Sequence, residues 1–117
     1  MFGTAPKWIQ RLPELDRAAL MDLRKNSGGD LSKPREMIHC LYDIKSDADA
    51  REISNYLQKA GWTSSVSPSV ENPQLLSIEA KKNSYIITEE LYLSDRAFFN
   101  RISDLYSAHY DGWYASN

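Results

Sequence analysis

The stretch that decides the fold is Arg35–Gly61, REMIHCLYDIKSDADAREISNYLQKAG. Its first ten residues carry apolar side chains on both alternating sets, Met37 and Leu41 on one and Ile38, Cys40, Tyr42 and Ile44 on the other. A strand apolar on both faces belongs in the middle of a sheet. Ser46-Asp47-Ala48-Asp49 follows with the spacing of a capping box, an acid three residues after the cap. The helix it opens places Ala50, Ile53, Leu57 and Ala60 on one side, and Gly61 stands where a helix ends in a left-handed residue.

Downstream, Trp62, Val66 and Val70 alternate with Thr63, Ser65, Ser67 and Ser69, and Pro68 cannot donate to a ladder. This second strand is therefore expected at a sheet edge. After the Asn72-Pro73 turn, Leu76, Ile78 and Ala80 alternate with Ser77, Glu79 and Lys81, a strand with one wet face. A long helix is expected from Thr88 to Ala108, with a buried stripe of Leu91, Phe98, Ile102 and Leu105, flanked by Phe99 and Tyr106. A short last strand takes Tyr110 to Ala115.

Upstream, residues 1–12 read as a loose arm, and residues 13–117 as a single domain. A helix begins near Pro13, with Leu12, Leu15, Ala19 and Leu23 as its apolar stripe, and stops at Gly28-Gly29. Without that helix the order is βαββαβ, the split βαβ arrangement of ferredoxin-like α+β sandwiches, with the first and third strands central. One four-stranded antiparallel sheet with helices on one face, plus an N-terminal helix, is the expected architecture.

Composition narrows the function. The 117 residues are 42% hydrophobic and 26% charged, as in an ordinary folded chain, and the formal net charge is −2. No overall positive field attracts a phosphate backbone, so direct nucleic-acid binding is not expected. The third strand also lacks the aromatic platform that an RNA-recognition motif needs. The single Cys40 cannot close an internal disulfide, the N-terminus lacks the order of a signal peptide, and no apolar run approaches the ~20 residues of a membrane span. These features point to a cytoplasmic protein without a membrane partner.

Catalytic and metal chemistry find little support. His39 and Cys40 are neighbours on a strand, so their side chains point to opposite faces and cannot pair as base and nucleophile. His109 is the other histidine, and no spacing assembles three or four metal ligands. Gly28-Gly29 has neither the preceding strand nor the following lysine of a phosphate loop. No catalytic residue, metal or cofactor is assigned.

Three features together carry a resemblance. Tyr110-Asp111-Gly112-Trp113 follows a helix ending Leu105-Tyr106-Ser107-Ala108-His109. An early helix runs into Gly28-Gly29-Asp30-Leu31, then Pro34-Arg35 and a strand with Ile38-His39. Between them the strand–helix block closes with Leu57 and Ala60-Gly61-Trp62. Over about residues 15–115 the chain resembles the bacterial regulator of ribonuclease activity B family, the ribonuclease E inhibitors. The resemblance implies a ferredoxin-like domain that does no chemistry and binds a protein partner, an endoribonuclease of messenger RNA decay. In the best-known member a strongly acidic tail follows the tryptophan motif, whereas four residues follow Trp113 here. By the same resemblance the contact residues are Tyr110, Asp111, Gly112 and Trp113, with His39 and Asp30 as secondary choices.

Two readings of Tyr110–Trp113 stay open. Exposed aromatics beside a carboxylate make a docking anchor of large area and few rotors. Alternatively Trp113 packs under the last helix and Gly112 permits a bulge, which would anchor a short edge strand. A small-molecule site between sheet and helices is the other functional class in view. The second strand's exposed edge leaves a homodimer open, with Pro68 acting against a long ladder.

Overall fold

Strand β1 (Arg35–Ile44) takes the centre of a four-stranded sheet, antiparallel to β3 (Leu76–Tyr85) on one side and to β4 (His109–Ala115) on the other. Strand β2 (Thr63–Pro68) pairs with β3, which gives the order β2-β3-β1-β4. The computed structural model describes residues 3–116. The helices are α1 (Lys7–Gln10), α2 (Glu14–Asn26), α3 (Asp47–Lys59) and α4 (Glu89–Tyr106). This is the expected α+β, ferredoxin-like sandwich: β1 and β3 are central, and β2 and β4 are edges.

Local chemistry sets the boundaries. The Ser46 side chain accepts from the Asp49 N–H at 3.1 Å and starts α3. Thr88 does the same for α4, accepting from Leu91 N–H at 3.2 Å. Glu89 and Glu90 in that first turn suit the positive end of the helix dipole. Gly61, at φ +88°, reverses the chain after α3, where a side chain would be strained. Thr88→Ala removes one cap and is expected to cost about 1 kcal/mol in a urea melt, with the helical circular dichroism of the folded state unchanged.

The core lies between the sheet and its helices. Met37, His39 and Leu41 of β1, Ile78 and Ala80 of β3, Ile53 and Leu57 of α3, and Tyr92, Phe99 and Ile102 of α4 are all buried there. Trp62, just before β2, is buried among them, edge-on to Phe99 with ring centres 5.2 Å apart. The opposite face of β1 carries half-buried Ile38, Cys40 and Tyr42. His39 and Cys40 do point to opposite faces.

Four expectations fail in detail. Ile44 does not share a face with Ile38, Cys40 and Tyr42. The β1–β3 register shifts between Leu41 and Ile44, with Asp43 at φ +62°, so the alternation inverts and Ile44 turns into the core. In α4, Leu105 is 72% exposed and Leu91 lies outside, while Tyr92, Phe99 and Ile102 form the buried line. Its centre contains Asp95 and Arg96, whose charged heads are paired internally, so a count of apolar residues alone sets the wrong phase. In α2, Leu15 is 85% exposed and Leu20 is fully buried. Leu12 precedes the helix, and a stripe phased on it runs off the true face.

The fourth concerns residues 1–12, expected as a loose arm. Residues 5–12 pack instead: Ile9 on α1 and Leu12 enter the core and Ala5 is buried. Gln10 Nε2 donates to the Ala5 carbonyl at 2.6 Å and ties the segment to itself. The apolar residues there are too few to show a helical period, so composition alone reads as loop. Met1 and Phe2 lie outside the described residues.

Candidate functional site: a cleft beside the β4 edge

An open cleft of about 500 Å³ lies between β4, α2 and α4. Tyr110, Asp111, Gly112 and Trp113 form one wall, Leu15, Asp16 and Ala19 another, and Arg96 and Asn100 close it from α4. The four-residue run singled out from sequence thus lines a concavity. Leu15, Asp16 and Arg96 had no sequence signal as site residues. They come from helices far apart in the chain, and only the packing of α2 beside α4 brings them to β4.

A hydrogen-bonded network holds the cleft floor. Asp16 accepts from Tyr92 Oη at 2.5 Å and from Arg96 Nε at 2.7 Å. Tyr92 Oη in turn accepts from Trp113 Nε1 at 2.9 Å, with the two rings edge-to-face 5.9 Å apart. The Arg96 guanidinium sits over the Tyr110 ring at 4.0 Å. Tyr110 Oη then shares a 2.6 Å hydrogen bond with His39 Nδ1. The chain Trp113–Tyr92–Asp16–Arg96–Tyr110–His39 therefore links both aromatics of the motif to α2, α4 and the central strand.

Charges follow from this packing. Burial disfavours the Arg96 cation, but the Asp16 hydrogen bond and the favourable electrostatics of Tyr110, Asp16 and Tyr92 together outweigh it and hold its pKa above the ordinary value. Burial and the Asp16 carboxylate push Tyr92 well up, and burial pushes Tyr110 up, so both hydroxyls remain protonated. Burial, aided by the Arg96 charge and opposed by Asp16, takes His39 down to about 3. Burial, with Glu79 and Asp111 nearby, raises Cys40 to about 11, so it stays a thiol.

The other sequence choices separate. His39 is 1% exposed and stacks on Phe99 with ring centres 4.2 Å apart, so as a direct contact residue it is corrected. It supports Tyr110 from below. Its Nε2 and the nearby Trp62 Nε1 are buried without partners. Asp30 is exposed but lies outside the cleft, at a small recess with Asn26, Ser27, Lys33 and Arg35. Its carboxylate accepts from the Ser32 N–H at 2.9 Å and Oγ at 2.6 Å, and these bonds hold its pKa below the usual range. Gly112, at φ +98°, sits at the β1–β4 register shift, where it pairs with Cys40 while Tyr110 pairs with Leu41. Asp111, the residue left over by that bulge, is exposed. The anchoring reading of the motif holds: Trp113 and Tyr110 are half-buried against the core, and their remaining surface lines the cleft.

Among the described residues, no group of three or more His, Cys, Asp or Glu is placed to hold a metal ion. No helix among them is long and apolar enough to cross a membrane. No family model and no curated protein matches this chain.

Proposed function

We propose that this domain is a non-catalytic, cytoplasmic regulator that binds a larger protein through the cleft between α2, α4 and β4. The partner proposed by resemblance is an endoribonuclease of RNA decay, obstructed sterically rather than chemically. One observation carries the reading: Tyr110 and Trp113 are held rigidly by the Asp16–Tyr92–Arg96 network while still facing an open cleft. Preorganised aromatics bind at low entropic cost, because their rotors are frozen before the partner arrives. Leu15, almost fully exposed at the rim, adds apolar surface that the domain itself does not use. The arrangement offers a partner contact area and offers a substrate no paired acid and base.

A small-molecule ligand is the second reading, favoured by the polar Arg96 and Asn100 beside the apolar Leu15, Ala19 and Trp113 in the cleft. That the cleft is open to solvent and that Arg96 is already engaged by Asp16 and Tyr110 favour a polypeptide. Calorimetric titration of the purified endoribonuclease into the parent, Leu15→Asp and Trp113→Ala chains tests the proposal. Leu15→Asp leaves the core intact and is expected to weaken binding about tenfold, the loss typical of a modest interface hot spot. Trp113→Ala should cost at least as much. Equal affinity for all three would remove the cleft from the interface, and no binding by the parent would remove this partner.

A further inference from the structure

We infer that the partner engages this cleft as an extended segment that adds to β4 as a fifth strand of the sheet; the inference rests on the protein-binding reading above. The Ser116 N–H donates to the Glu36 carbonyl at 3.1 Å. With Met37 opposite Ala115, Glu36 and Ser116 form a hydrogen-bonded pair. Antiparallel alternation makes Ile38–Tyr114 and Cys40–Gly112 pairs of the same kind. The N–H and C=O groups of Trp113 and Ala115 therefore point away from β1, along the open edge of the sheet.

The two edges differ. On β2, the Ser69 N–H donates to Leu75 C=O at 2.9 Å, so alternation turns Val66 and Pro68 outward. Pro68 brings no N–H to that edge, which blunts it against strand addition. The β4 sequence, His109-Tyr-Asp-Gly-Trp-Tyr-Ala115, contains neither proline nor lysine. The cleft runs beside this edge, between it and α2, and Trp113 and Ala115 follow the bulge at Asp111–Gly112. An extended chain laid there satisfies Trp113 and Ala115, and alternate side chains on its helix-facing side meet Leu15 and Ala19. The occupant is thus a segment with apolar residues at every second position.

A synthetic peptide with the sequence of residues 35–42 is a suitable probe, because it is extended in the fold and carries Ile38, Cys40 and Tyr42 at every second position. Amide exchange is measured on the full chain with and without the peptide, beside the variants Ala115→Pro and Val66→Pro. Each proline removes one outward N–H, a place where proline is tolerated. The expected result is slowed exchange at Trp113 and Ala115, with binding weakened about three- to tenfold by Ala115→Pro and unchanged by Val66→Pro. Unprotected Trp113 and Ala115 amides, or full affinity in a folded Ala115→Pro chain, overturn the inference. Should Ala115→Pro fail to fold, the exchange rates in the parent chain decide alone. Endoribonuclease binding that is lost in Leu15→Asp but indifferent to Ala115→Pro would leave the cleft standing as an interface and reject strand addition.

Discussion

Asp16→Ala is expected to destabilise the domain by about 2–4 kcal/mol, toward the range for breaking one side of a buried ion pair. Asp16 and Arg96 each keep about one-seventh of their side chains exposed (14% and 15%), so the site is neither surface nor deep core. Removing the carboxylate strands two donors at once. Among the described residues, Tyr92 Oη would keep its acceptor role toward Trp113, and Arg96 would keep Asn100 at 3.3 Å and the Tyr110 ring. The penalty is chiefly that of buried donors left unpaired, not the worth of an ion pair in water. The double replacement Asp16→Ala with Arg96→Met should therefore cost clearly less than the two single costs summed. Urea melts of the four chains measure the coupling; strictly additive costs would mean that the pair does not act as a unit. Trp113 indole fluorescence should change with Asp16→Ala as well, because Tyr92 holds the indole N–H.

The second large effect is a pH dependence from His39. Its ordinary pKa is 6.5, and burial lowers it to about 3 in the fold. The unfolded chain therefore takes up a proton that the folded chain refuses. Stability from this group is complete above the unfolded value and is lost as the pH falls from 6.5 toward 3. Within that window the loss is about 1.4 kcal/mol per pH unit. His39→Gln removes the titrating ring, so its stability should fall less steeply than the parent's between about pH 6 and about pH 4.5. Parallel pH slopes for the two chains would show that His39 titrates in the fold much as it does in the unfolded chain. Because Tyr110 is hydrogen-bonded to this ring, acid should disturb the cleft floor before the β2–β3 hairpin.

Elements whose signal is local were legible from the residues alone. The Ser46 and Thr88 caps, the Gly61 stop, the edge position imposed by Pro68 and the alternation of Leu76, Ile78 and Ala80 all appear where expected. So does the central place of β1, although its outer face is only half covered. Helix phase was less legible. In α4 the buried line runs through Asp95 and Arg96, and those side chains turn inward only because Tyr85 and Asp16 wait there as partners. A hydrophobic count cannot know that a charge has a buried partner 80 residues away.

What the sequence determined by itself was the order and type of the elements from α2 onward and the stretch Tyr110–Trp113 as a place of interest. Such features depend on backbone preferences and periodicities within a few residues. Tertiary structure alone decided that His39 lies in the core beneath Tyr110, that Asp30 stands apart, and that Leu15, Asp16 and Arg96 complete the cleft. It also decided which backbone groups of β4 face outward, since one register shift between Cys40 and Leu41 resets the alternation. The reason is the same in each case. A side chain's partner is chosen by packing across long sequence separations, and a single bulge or one turn of helix phase exchanges an inward residue for an outward one.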